Sequence, residues 1–136
     1  MLKLRNPKGA TLIETLGSVL IFMIGIEALL AVYFQSVNMG KRSEYAYTAY
    51  NLARNHIERL KVGTFSDIAS AVESNELINS DGDPDPSGQY LRTTTVATNY
   101  SGNANLTQVT VSISWLNRGV QSPGSMQVSS VIYNGG

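Results

Sequence analysis

The chain has 136 residues, ten Lys+Arg against ten Asp+Glu, one His and no Cys, a length that suits one domain of ordinary size. Charged residues make up 15% and hydrophobic residues 43%, against about 25% charged in an average soluble chain. Zero net charge excludes a global basic field for nucleic acid. The absence of cysteine excludes a disulfide framework, a thiolate metal site and a Cys nucleophile, and a single His excludes His₂ or His₃ metal clusters.

Charge and hydropathy are segregated along the chain. Residues 1–9 carry Lys3, Arg5 and Lys8 and no acid, whereas residues 10–34 hold no Lys, Arg, Asp, Asn or Pro and only Glu14 and Glu27 as acids. Twenty-five residues at ~1.5 Å rise make about 37 Å of helix, enough to cross a ~30 Å hydrocarbon core with some tilt. A basic flank ahead of the span predicts a cytoplasmic N-terminus and an exported remainder. An ordinary cleaved secretory signal fits poorly, because the apolar run is too long and contains carboxylates.

Beyond Phe34 the chain turns polar but keeps a helical period. Ala46, Ala49, Tyr50, Ala53, Ile57 and Leu60 recur at three- and four-residue spacing and so share one face, while Arg42, Asn51, Arg54, Asn55, Glu58 and Lys61 fill much of the rest. No proline interrupts residues 10–62, and Gly63 is a natural stop. The reading is one continuous helix of about 50 residues, roughly 75–80 Å long, with 10–34 a transmembrane half and 35–62 an amphipathic half. Such a rod exceeds what a globule of this size can bury, so half of it belongs in lipid or against other chains.

Residues 63–136 read as an exported sheet domain. A short helical turn is expected around 67–73, and residues 79–89, with Asp-Gly-Asp-Pro-Asp-Pro-Ser-Gly inside them, form a loop. Strands are expected at 90–98, 106–116 and 126–133, the second alternating Val109, Val111, Ile113 and Trp115 with Thr110, Ser112 and Ser114. Turn clusters at 101–105 and 117–124 separate them as in an antiparallel meander. The fold class is α+β, with the 46–60 helix face covering a small sheet of three to four strands.

The junction Lys8-Gly9-Ala10-Thr11-Leu12-Ile13-Glu14 resembles the class III prepilin signal of type IV pilins and type II secretion pseudopilins. In that family a short basic leader ends in Gly, and Phe-Thr-Leu-Ile-Glu then opens a hydrophobic helix. Within it, Tyr50-Asn51-Leu52-Ala53-Arg54-Asn55-His56-Ile57-Glu58-Arg59-Leu60 and Val109-Thr110-Val111-Ser112-Ile113-Ser114-Trp115 look most like segments of PilV-type minor pilins and the related GspI-type pseudopilins. The resemblance implies cleavage by prepilin peptidase between Gly9 and Ala10, and N-methylation of Ala10. It also implies subunit assembly through Glu14 pairing with a neighbour's new ammonium. Ala10 replaces the usual Phe, and Ala31 stands where many major pilins carry a helix-breaking Pro, which favours a minor subunit. The implied partners are other pilin or pseudopilin subunits, the peptidase, an inner-membrane assembly platform and the bilayer. The implied location is the inner membrane, single-pass, then a pilus or pseudopilus.

Individual residues admit further readings. Glu14 without its partner is an interfacial carboxylate favoured by the helix dipole. Glu27, mid-span, needs a contact with another chain or tolerance in a tilted helix. Asp81, Asp83 and Asp85 could offer oxygens to Ca²⁺, as in some pseudopilins, but the prolines break an EF-hand pattern and favour a solvated loop. His56 has no Ser or Cys partner at a readable spacing and reads as surface or packing, and Tyr45, Tyr47 and Tyr50 read as packing or subunit contacts. No nucleophile–base or metal constellation appears, so the chain is not read as an enzyme, and no cofactor is expected. The resemblance implies first a structural minor pilin of a type IV pilus or its initiation or tip complex, second a minor pseudopilin of a type II secretion system, and third a DNA-uptake pilin. The third is disfavoured because residues 63–136 hold Arg92 and Arg118 against Asp67, Glu73, Glu76, Asp81, Asp83 and Asp85, a net of −4.

Overall fold

The computed structural model describes residues 7–135, excepting the side chains of residues 7–10. The leader expected at 1–9 therefore lies outside the described residues, apart from a helical backbone that begins at Pro7. Helix α1 (Pro7–Val62) has 56 residues and starts three residues before the expected Ala10. Proline suits a first helical turn, because its missing N–H would have no acceptor there. The helix closes where Gly63 N–H donates to the Leu60 carbonyl at 3.3 Å, with Arg59 and Lys61 in the last turn, where cations complement the dipole.

The chain divides into two compact units between Lys41 and Arg42. In the first, every side chain of residues 11–40 is exposed, including Leu12, Leu16, Ile21, Phe22, Leu29 and Phe34. This helix is long and apolar enough to cross a membrane. Two of its hydroxyls bond back within the helix: Thr15 Oγ1 donates to the Thr11 carbonyl at 2.7 Å and Ser18 Oγ to the Glu14 carbonyl at 2.8 Å, the back-bonding that lets Ser and Thr sit in an apolar medium.

The second unit holds the rest of α1, a one-turn helix α2 (Phe65–Ile68), and strands β1 (Glu73–Ile78), β2 (Tyr90–Thr98), β3 (Leu106–Asn117) and β4 (Val120–Tyr133). These form one antiparallel sheet in the order β1-β2-β3-β4. The sequence reading put a helical turn at 67–73 and assigned no element to 74–78; α2 is shorter and earlier, and β1, beginning at Glu73, supplies the fourth strand of a sheet expected to have three to four. The expected loop at 117–124 also shrinks, to Arg118 (φ 53°) and Gly119 (φ 79°). Positive φ at both central residues is the two-residue hairpin turn that matches strand twist. Strand β4 thus starts at Val120 and contains Pro123, which an edge strand tolerates.

The alternation in β3 holds. Val109, Val111 and Ile113 are fully buried and Trp115 nearly so. Ser114 departs from it, being buried beside the irregularity between Ser114 and Leu116, where Gln121 Nε2 donates to its hydroxyl at 2.9 Å. From α1, Ala49, Leu52, Ala53 and Ile57 enter the same core, with Ala46 and Leu60 at its margin. Leu52 takes the place expected of Tyr50, which is exposed. Tyr45 stacks on Trp115 with ring centroids 6.2 Å apart and meets Tyr90 edge-on at 6.3 Å, whereas Tyr47 is exposed. Small alanines at 49 and 53 let the helix lie close to the β3 row.

Ala53 is fully buried, so Ala53→Glu should destabilise the unit of residues 42–136 by about 3–5 kcal/mol. The same change at exposed Tyr47 should cost roughly 0.5 kcal/mol or less. Urea titration of both variants checks this, and equal midpoints would mean that the Ala53 face looks outward.

Candidate functional site

Two groups of residues stand out, one in each unit. In the first unit, Gly9 and Ala10 lie on helical backbone, with their side chains outside the described residues. Glu14 and Glu27 are exposed on α1, thirteen residues or about 20 Å of helix apart. Thirteen steps of ~100° put the two carboxylates on different faces of the helix, so one straight partner helix could not meet both.

The second group was not anticipated from sequence. Strand β2 points Tyr90, Arg92 and Thr94 into the core, and Arg92 is only 5% exposed. A buried guanidinium must be paired. Arg92 Nε donates to Glu73 Oε2 at 2.6 Å and Nη2 to Glu73 Oε1 at 2.9 Å, a two-pronged match of planar groups. The third prong, Nη1, donates to the Gly82 carbonyl at 2.8 Å. Gly82 has φ 88°, a conformation that favours glycine. Thr94 Oγ1 donates to Glu73 Oε2 at 3.1 Å. One arginine therefore ties β1, β2 and the 79–89 loop together.

From α1, His56 faces this clasp, its Nε2 3.6 Å from Glu73 Oε2. That nitrogen is buried without a hydrogen-bond partner. Burial, the Arg92 charge and, more weakly, Arg59 hold the His56 pKa below its ordinary value, against the pull of Glu73. Burial by itself would raise the Glu73 carboxyl, but the Arg92 hydrogen bonds and charge, with help from His56 and Thr94, keep it below the usual range. A histidine beside a carboxylate can act as a base. Here the carboxylate is committed to arginine, and the surface cavity lined by Asn75, Glu76, Leu77, Pro84, Asp85 and Pro86 includes neither His56 nor Arg92.

The three loop aspartates go separate ways. Asp83 Oδ1 lies 3.6 Å from Arg59 Nη1 on an exposed surface, and Asp85 Oδ1 accepts from Ser87 N–H at 2.8 Å. The backbone N–H groups of Asp81 and Asp83 both donate to Asn79 Oδ1, at 2.9 and 3.0 Å. Among the described residues no three His, Cys, Asp or Glu side chains gather as a metal-holding group. The sequence did carry a signal for the clasp: Arg92 shares its strand parity with Tyr90, Thr94 and Val96, and an arginine on a buried face calls for an acid. No protein-family model, curated protein or solved structure matches the chain.

Both pKa shifts make acid destabilising. As pH falls below 6.5, the unfolded chain protonates His56 before the folded one does; below 4.5 the same holds for Glu73. In each window the unfolded state binds more protons, so stability falls with pH. Thermal unfolding of the 42–136 unit should show two successive losses on acidification. Because His56 is the single histidine, His56→Gln should abolish the upper loss and leave the lower. Stability that is level or rising from pH 7 to pH 5 in the wild type would contradict the clasp as described.

Proposed function

We propose that the chain is a structural minor pilin. Prepilin peptidase removes residues 1–9, leaving a mature chain that begins at Ala10, the N-methylation site. The helix holds the subunit in the inner membrane by a single span, N-terminus inward, and then packs among other pilins in a type IV pilus or its initiation or tip complex. One observation carries the reading. The Lys8-Gly9-Ala10-Thr11-Leu12-Ile13-Glu14 junction opens a helix whose apolar side chains over residues 11–40 find no cover in their own chain. The same helix is amphipathic from Arg42 on and seats Ala49, Ala53 and Ile57 on a sheet.

The chemistry of Glu14 fits this role. A lone carboxylate in a span costs about 2.5–3.5 kcal/mol on insertion scales, and cleavage at Gly9 would create an ammonium one helical turn away on each neighbour. Leader removal would then make the partner that assembly needs. The inward-turned Arg92 favours a structural over a DNA-capturing role: it and Glu73 claim each other, which leaves Arg118 as the exposed cation of residues 63–135 against the five other acids.

Glu14→Ala should be inserted and cleaved like wild type, yet stay in the inner membrane instead of entering the filament or initiation complex. Glu14→Asp keeps the charge with a shorter reach and should show an intermediate defect. The ratio of filament-associated to membrane-retained protein distinguishes the three. Equal incorporation of wild type and Glu14→Ala would mean that assembly does not use this carboxylate.

A further inference from the structure

The charges of the second unit are sorted by their distance from the point where α1 enters it. That point is Arg42, the first residue of the unit. One turn on, Tyr45 stacks on Trp115. Gly124 lies against the same indole, so close that a Cβ there would come within 3.1 Å of it. Between these contacts, Leu116 and Asn117 pair with Gln121 and Val120. Aromatic packing therefore holds the hairpin end of β3 and β4, from Trp115 to Gly124, at the entry end of the unit.

Two cations stand there. Arg42 and Arg118 are both exposed and, among the described residues, make no ion pair. Residues 42–51 and 115–124 set these two against Glu44, a net of +1, whereas the rest of the unit has four Lys+Arg against seven Asp+Glu, a net of −3. The acids of β1 and the loop sit further along the helix. Gly82 lies beside Leu52, Glu73 faces His56 and Asp83 faces Arg59, about 10–21 Å of helical rise beyond Tyr45. The unit carries its positive end where the helix comes in.

Ahead of that end lies the apolar run. Phe34 and Arg42 are separated by about 12 Å of rise, of which a headgroup layer takes about 5–7 Å. The remaining gap is shorter than a Debye length of about 8 Å. We infer that the entry end of the second unit, through Arg42 and the Arg118 turn, docks on the anionic phospholipid headgroups of the bilayer that the apolar helix crosses. The inference rests on the single-span reading and applies to each copy by itself, with the unit on the exported side. Each Lys or Arg close to an anionic leaflet shifts such an equilibrium about fivefold. The same surface repels the acids on the far side, so attraction and repulsion turn the unit the same way. The consequence is a fixed orientation of the exported unit while the chain is held in the membrane.

The chain has no cysteine, so single cysteines carry a fluorophore cleanly. The full chain is reconstituted in phosphatidylcholine vesicles with or without phosphatidylglycerol, all doped with a lipid bearing a headgroup nitroxide. Labels are placed at Val120→Cys, two residues from Arg118 and 71% exposed, and at Val62→Cys, at the far end of α1 and 89% exposed. Ile21→Cys, read with an acyl-chain nitroxide, reports the span itself. The label at residue 120 should be quenched about twofold more strongly in anionic than in neutral vesicles, and the label at residue 62 should be quenched weakly in both. Arg118→Glu reverses one charge, about a 30-fold shift against docking, and should bring the first label down to the level of the second. High salt should do the same without the substitution, so the outcome does not depend on how that variant folds. Equal quenching at the two labels would overturn the docking, as would quenching at residue 120 that ignores lipid charge and salt; a quenched label at residue 21 would then still uphold the span. An unquenched label at residue 21 would overturn the span reading and the docking with it.

Discussion

A helix whose first half is apolar all round cannot be covered by the chain that carries it. Burying a large aliphatic or aromatic side chain contributes about 1.5–3 kcal/mol, and such side chains lie exposed from Leu12 to Met39. In water the deficit is on the order of tens of kcal/mol, several times the stability of an ordinary domain. Lipid or other helices must therefore solvate this half. Further along the same helix the sequence changes solvent without changing period, and from Ala49 the apolar residues narrow to one stripe that the sheet covers. The molecule is organised by that change.

The clasp of Arg92 and Glu73 organises the other end. A buried ion pair adds little net stability, because desolvation offsets the attraction, but losing one partner strands the other. Its value here is positional. The guanidinium holds the carboxylate of β1 with two prongs and the Gly82 carbonyl with the third, so a short strand poor in β-branched residues and a loop rich in Gly, Pro and Asp both acquire fixed places. Gly88 completes the loop: a side chain there would run into the Ile78 carbonyl.

Local pattern made much of this legible. The uninterrupted span and the three- and four-residue spacing marked α1, and the alternation of Val109, Val111, Ile113 and Trp115 marked β3 with its buried face. What was missed depends on partners distant in sequence. Glu-Ser-Asn-Glu-Leu-Ile has no strand pattern of its own and is a strand because β2 and Arg92, nineteen residues away, make it one. Pro123 argued for a loop and proved compatible with a strand because β4 is an edge. Tyr50 and Leu52 both lie near the boundary of the apolar stripe, and only the packing against the sheet chose between them. Residues such as Glu14 remain readable only as an unpaired charge in an apolar run, since their partners would come from other chains.

The proposed processing of a membrane-held structural subunit is tested most directly by the intact mass of the membrane-extracted protein. Co-expressed with a prepilin peptidase, the wild type should have the mass of a chain beginning at Ala10, with or without one added methyl group, and Gly9→Ala should retain residues 1–9. A wild-type mass that still includes residues 1–9 in the presence of active peptidase would contradict the account.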